Sequence, residues 1–182
     1  MERKALRLAH NPVAEALGDE RIGFEARAQQ HDHVDLKIWL RLLACSTQIE
    51  KIIRQRLRSR FATTLPRFDY LAQLDRHPGG LRMKSLSSHL MVTGGNVTGL
   101  TDELEREGLV AREPSPSDRR SWIVRLTPAG RTSFRQMAAE HEQWVREIFS
   151  GLDRKSAQQL HEQLGVLRVH LVGLQERSTE TP

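Results

Sequence analysis

The sequence predicts a mainly α chain carrying one small β-hairpin, and three observations predict it. Apolar residues recur at helical spacing from Val34 to Glu107 and again beyond Pro128. Alternation with period two is confined to one stretch near 109–126. Between its two halves lies Pro114-Ser115-Pro116-Ser117-Asp118, a run rich in turn formers.

Residues 1–31 are polar and mixed in charge, with Gly18 and Gly23 interrupting any helix. They are expected to form a flexible N-terminal arm with a short helical piece near Pro12 to Leu17. From Val34, the residues Leu36, Trp39, Leu40, Leu42, Leu43, Ile49, Ile52, Ile53 and Leu57 define a long helix ending near Phe61. Its first half is apolar on several sides, as a segment placed between a subunit core and a partner would be. Its second half carries Arg54, Arg56, Arg58 and Arg60, a pattern suited to a solvated face.

Thr64-Leu65-Pro66 opens a second helix with proline near its first position. Phe68, Leu71 and Leu74 form its stripe, and His77-Pro78-Gly79-Gly80 stops it. A short helix over Lys84 to Leu90 follows, with Leu86 and Leu90 on one side. After a turn at Met91-Val92, another helix runs from Thr93 to Glu107 on the face of Val97, Leu100 and Leu104, with Gly108 as its cap. Leu109 to Glu113 and Ser121 to Leu126 read as strands, joined by a long basic tip that contains Asp118-Arg119-Arg120. Thr127-Pro128 caps and starts a helix to about Ser150. The last helix, Asp153 to Glu176, repeats Leu160, Leu164, Leu167, Leu171 and Leu174 at alternating spacings of four and three, a heptad seam.

This order is that of a winged helix-turn-helix. The N- and C-terminal helices are left to form a dimerisation region over 32–62 and 128–177, with the DNA-binding domain at 63–127. The second helix of such a motif enters a major groove by its N-terminal residues. Here these are Thr93, Gly94, Gly95, Asn96, Thr98 and Gly99, with Ser85 on the preceding helix. Each glycine costs a helix about 1 kcal/mol relative to alanine, so three of them suit a backbone that must approach phosphate or base edges closely. Asn96 can pair with adenine, and the threonines can meet bases or thymine methyls. In the hairpin, an arginine of Asp118-Arg119-Arg120 can enter a narrow minor groove while Asp118 steadies a guanidinium.

The segment from Leu86-Ser87 to Leu126-Thr127, with Asp118-x-Arg120 followed by Leu126-Thr127-Pro128-Ala129-Gly130, resembles the MarR (multiple antibiotic resistance regulator) family of transcription factors. The resemblance spans residues 36 to 174. It implies a homodimer with intertwined N- and C-terminal helices, a wing arginine at Arg120, a pseudo-palindromic duplex operator and repression released by ligand. Within the family, Trp39-Leu40-Arg41-Leu42-Leu43, Leu65-Pro66-Arg67-Phe68-Asp69-Tyr70-Leu71 and Met91-Val92-Thr93-Gly94-Gly95-Asn96-Val97-Thr98 are similar to a branch that controls aromatic-acid catabolism. That likeness implies an aromatic acid or aromatic acyl-CoA effector, with Trp39, Leu42, Leu43, Arg67, Phe68 and Leu71 as its candidate contacts.

Other classes fit less well. The eight histidines are scattered and none forms HExxH or a comparable pair on one helix face, so neither a metal nor a cofactor is expected. There is no phosphate-binding glycine loop of the nucleotide-hydrolase kind, and nothing suggests an enzyme. Cys45 is the only cysteine, which excludes an intramolecular disulfide. It is expected in the core, the alternative being a redox sensor. A plain protein-interaction module would account for the heptads but not for the wing. The net charge of +5 and isoelectric point near 10.0 permit a polyanionic partner. Met1-Glu2-Arg3-Lys4 is followed by no apolar signal core, so a cytoplasmic location is expected.

Overall fold

A computed structural model describes residues 12–18, 22, 33–90, 94–115 and 118–179. The helices are α1 (Pro12–Leu17), α2 (Val34–Phe61), α3 (Leu65–Arg76), α4 (Met83–Leu90), α5 (Gly94–Arg106), α6 (Pro128–Phe149) and α7 (Arg154–Thr179). The strands are β1 (Leu81–Arg82), β2 (Val110–Ser115) and β3 (Asp118–Leu126). The chain divides into two compact units, Met1–Asp69 and Tyr70–Pro182.

In the first unit, α1 falls on the short helix expected at Pro12 to Leu17, and Gly18 leaves it at φ +73°. The rest of the expected arm, apart from the buried Ile22, lies outside the described residues. On α2, Leu40, Ile53 and Leu57 are buried while Val34, Leu36, Ile38 and Trp39 are exposed, so its apolar N-terminal half covers more than one face. Its arginine-rich end is largely solvated: Arg54, Arg58 and Arg60 are exposed, Arg56 is half-buried, and Arg54 pairs with Glu50 one turn earlier. Ala62 closes α2 in the left-handed region at φ 50°, which turns the following Thr63 amide back to the Leu57 carbonyl (3.4 Å).

The second unit holds the sheet. Its order is β1-β3-β2, all antiparallel. The sequence reading missed β1, since two residues are too few to show alternation. Gly80, at φ +81°, delivers the chain to β1: a Cβ there would lie 2.5 Å from the Ile123 side chain and 2.7 Å from the Val124 carbonyl. The wing also differs from expectation. Pro114 and Ser115 belong to β2, and Asp118-Arg119-Arg120 belongs to β3, so most of the expected basic tip is strand. Between the pairs Pro114↔Trp122 and Ser115↔Asp118, β2 advances one residue while β3 advances four. The backbone of Asp118-Arg119-Arg120 therefore sits where the β2–β3 register shifts, as at a bulge, which locally increases strand twist. Proline tolerates the extended backbone of such a ladder end, which is why a turn-forming composition still gave strand.

Two junctions brace the sheet against the helices. Gly108 follows α5 at φ +71°, with the Leu109 amide on the Leu104 carbonyl (2.9 Å) and the Gly108 amide on the Glu105 carbonyl (2.9 Å). This is a Schellman cap, and glycine takes that φ without steric cost. At the start of α6, the Thr127 hydroxyl accepts from the Gly130 amide (2.9 Å) and donates to the Gly108 carbonyl (2.7 Å). The Thr127 amide in turn donates to the Leu109 carbonyl (3.1 Å). One threonine thus caps α6 and ties it to the end of α5.

On α7, Asp153 caps the N-terminus by accepting from the Ser156 amide (2.8 Å). These hydrogen bonds to Ser156 hold its carboxyl below its ordinary range. Of the seam leucines, Leu160, Leu164, Leu171 and Leu174 are exposed in the single chain, Leu171 by 51%, and Leu167 is half-buried.

Candidate nucleic-acid interface

α5 is amphipathic with period 3.6. Val97, Thr101 and Leu104 are fully or almost fully buried, while Asn96, Thr98, Gly99, Glu103 and Arg106 are exposed. A Cβ built on Gly99 would meet no atom within 4 Å. No neighbour among the described residues therefore requires glycine at Gly99. Gly94 and Gly95 form the first residues of the helix, and Thr93 lies outside the described residues. Ser85 is half-buried on α4. Asp118, Arg119 and Arg120 are placed by their backbone on β3. α4 and α5 form the helix pair and β2–β3 the wing, so the expected DNA residues fall on two adjoining parts of one unit.

Two features of this interface were not read from the sequence. The first is a buried hydrogen-bond chain beneath α5. The Thr101 hydroxyl lies 2.6 Å from the Val97 carbonyl, which can only accept, so Thr101 donates to it. The Tyr70 hydroxyl, 2.6 Å from Thr101 Oγ1, must then be the donor. Burial pushes the Tyr70 phenol from its ordinary 10.0 up to about 12, with the Thr101 hydrogen bond opposing part of that rise. Tyr70 is the chain's only tyrosine, so an absorbance titration of phenolate reads it alone. The folded protein should ionise near pH 12, and the denatured chain near pH 10. Because the folded pKa is the higher one, the linked stability is complete below pH 10 and is lost as pH rises through 12. A native midpoint near 10 would contradict this placement.

The second feature is a three-sided ion pair. Arg112 of β2 contacts Asp102 (Nη2–Oδ1, 2.5 Å) and Glu105 (Nε–Oε2, 2.8 Å), and its own amide donates to Glu105 (3.2 Å). The Arg112 hydrogen bond holds the Glu105 carboxyl below its ordinary range, and Glu105 and Asp102 raise Arg112. In the structure Arg112 offsets part of their charge and fastens α5 to the wing, which lessens repulsion toward phosphate.

The other expected site residues are more dispersed. Trp39 is 58% exposed, Leu42, Leu43 and Arg67 are half-buried, and Phe68 and Leu71 are buried. Cys45 is exposed, which corrects the expectation of a core thiol: it falls on the outer side of α2, away from Leu40, Ile53 and Leu57 in the helical pattern. Among the described residues, no helix is long and apolar enough to cross a membrane.

With this geometry in view, comparison with known proteins is informative. The MarR family profile matches residues 63–122, from the start of α3 to Trp122. The chain is 30% identical over 116 residues to the HTH-type transcriptional regulator PecS of Dickeya dadantii, covering 63% of this chain and 70% of PecS. The chain belongs to the MarR family. It is also 34% identical over 82 residues to YkoM of Bacillus subtilis, an HTH-type transcriptional regulator. That match covers 45% of this chain and spans about half (53%) of YkoM. A MarR family transcriptional regulator of Streptomyces coelicolor, solved in complex with DNA, shares the fold at a TM-score of 0.68 and 24% identity, covering 82% of this chain and 93% of that one. These relatives are regulators and not enzymes, as the residue inventory of this MarR chain suggested.

Proposed function

We propose that this MarR-family chain is a cytoplasmic, sequence-specific DNA-binding transcription regulator. It acts as a homodimer on a pseudo-palindromic operator and represses until a ligand releases it. The observation that carries the reading is the outward face of α5. There Asn96, Thr98 and Gly99 stand exposed near a helix N-terminus, and Gly99 is a glycine that the chain's own packing does not require. Arg120 on the bulged strand supplies the minor-groove contact that the family resemblance implies. Residues 32–62 and 128–177 make the dimerisation region, and 63–127 the DNA-binding domain. The exposed leucines of α7 and the exposed apolar start of α2 support that division, being more apolar surface than a monomer ordinarily leaves open.

The effector proposed is an aromatic acyl-CoA, or the corresponding aromatic acid. Trp39 supplies an accessible ring, Leu42 and Leu43 an apolar flank, and Arg67 a cation for a phosphate. Phe68 and Leu71, being buried, act as backing. Full release demands a ligand that favours the non-binding conformation by ~5.5 kcal/mol, if the equilibrium is to pass from 99:1 to 1:99. At about 25 cal/mol per Å², burying an aromatic acyl group supplies much of this. The test titrates a protein–duplex complex with matched acyl-CoA and free-acid pairs, using Arg120→Ala as the arm that should form no complex. Acyl-CoA is expected to release DNA at lower concentration. Release by the acid alone removes the thioester, release by neither removes the aromatic effector, and undiminished binding by Arg120→Ala removes the wing contact.

A further inference from the structure

The fold brings together two histidines that the sequence keeps apart. His77 follows α3, and His89 lies in the last turn of α4. Their ring centres are 5.6 Å apart, with the planes at 69°. His77 Nδ1 is 2.8 Å from the Gln73 carbonyl oxygen, and His89 Nδ1 is 2.6 Å from the Ser85 carbonyl oxygen. A carbonyl only accepts, so each Nδ1 carries the proton and donates it. When neutral, each imidazole is then the tautomer whose lone pair is on Nε2. This is the arrangement of metal-binding histidines, in which one nitrogen is anchored to a carbonyl and the other ligates.

The separation agrees. With a metal–nitrogen bond of about 2.1 Å and a ring centre about 1.1 Å behind its nitrogen, two imidazoles on one tetrahedral metal have centres about 5 Å apart. A somewhat wider ligand angle gives the observed spacing. We propose that His77 and His89 form a two-histidine site for a divalent cation of the zinc, nickel and copper class. Imidazole suits these metals, whereas magnesium and calcium prefer oxygen donors. His89 is exposed and His77 half-buried, so the site opens to solvent and water completes the coordination. One nearby cation opposes binding: Arg125 donates to the Pro78 carbonyl (3.3 Å), beside His77. Glu113 offsets it by pairing with Arg125 (3.1 Å). A bound metal would pin the last turn of α4 to the end of α3.

The test is calorimetric titration of the full, chelator-stripped protein with Ni2+ and Zn2+, with Mg2+ as the control metal. A saturable site, one per chain, is expected for both transition metals. It should disappear in His77→Gln and in His89→Gln and persist in His161→Gln. A merely capping role for the two histidines would leave metal binding unchanged, so unaltered titrations in both variants overturn the proposal. A second readout needs no variant: the electron paramagnetic resonance spectrum of one Cu2+ per wild-type chain should show nitrogen couplings from imidazole. Absence of those couplings, or no metal uptake at all, overturns the proposal equally.

Discussion

Gly130→Ala should destabilise the protein by about 3 kcal/mol or more, since it forces overpacking at a rigid point. A Cβ at Gly130 would stand 1.8 Å from the Leu109 carbonyl oxygen and 2.8 Å from its carbon. Those atoms are backbone, and the same carbonyl receives the Thr127 amide (3.1 Å), so the obstruction cannot rotate away. Relief would require α6 to part from the end of α5, breaking the Thr127 links to Gly108 and Leu109. At about 2–4 °C per kcal/mol for a chain of this size, the melting temperature should fall by roughly 6–12 °C. Gly99→Ala should move it the other way, by up to about 1 kcal/mol, because that Cβ points into open space and alanine favours helix. Thermal melts of the two variants beside wild type decide the matter. A neutral Gly130→Ala would mean that the α5–α6 junction is looser than described.

The second large effect concerns assembly. Leu164→Lys with Leu171→Lys is expected to turn the proposed dimer into a monomer of 20.8 kDa. Leu164 and Leu171 are 40% and 51% exposed in the single chain, so lysine at both should leave the subunit folded. What it removes is the apolar seam of α7. A dimer on two half-sites gains the second contact as an intramolecular event, worth 10²–10⁴-fold in avidity by typical linkage arithmetic, on the order of 3–5 kcal/mol. Operator affinity should fall by a factor of that order while circular dichroism stays unchanged. Sedimentation at the dimer mass for the variant would show that this seam is not the interface.

Much of the fold was legible because its signals are local. Thr127-Pro128 and Gly108 mark helix ends by chemistry that depends on neighbours in sequence, and the caps are found there. Periodicity likewise located α5 from Val97 and Leu104. What escaped depends on tertiary contact. Thr101 is polar and reads as surface, yet Tyr70 and the Val97 carbonyl satisfy it inside the core. Arg112 looks like one more basic residue of a strand until α5 brings Asp102 and Glu105 against it. β1 is two residues long and exists only because Val124 and Ile123 offer a partner. Pro114 and Ser115 were read as loop by composition, but pairing with β3 holds them extended. At the DNA face, Gly99 was legible as an anomaly, a glycine in a helix, and the structure sharpened it by finding open space where a packing reason would have been. The proposed effector residues were least legible, since Trp39, Phe68 and Leu71 are of the same residue types as ordinary core.

The central claim is that exposed residues at the start of α5 read bases. Selection of bound sequences from random duplexes, run with wild type and with Asn96→Ala, tests it most directly. Wild type should enrich a pseudo-palindrome with half-sites about one helical turn apart. Binding should weaken steeply with salt as phosphate contacts release counterions. Asn96→Ala should keep the overall motif and lose discrimination at one position in each half-site, by roughly 1–3 kcal/mol. No enriched motif from wild type, or an identical motif from the variant, would contradict base readout by this helix.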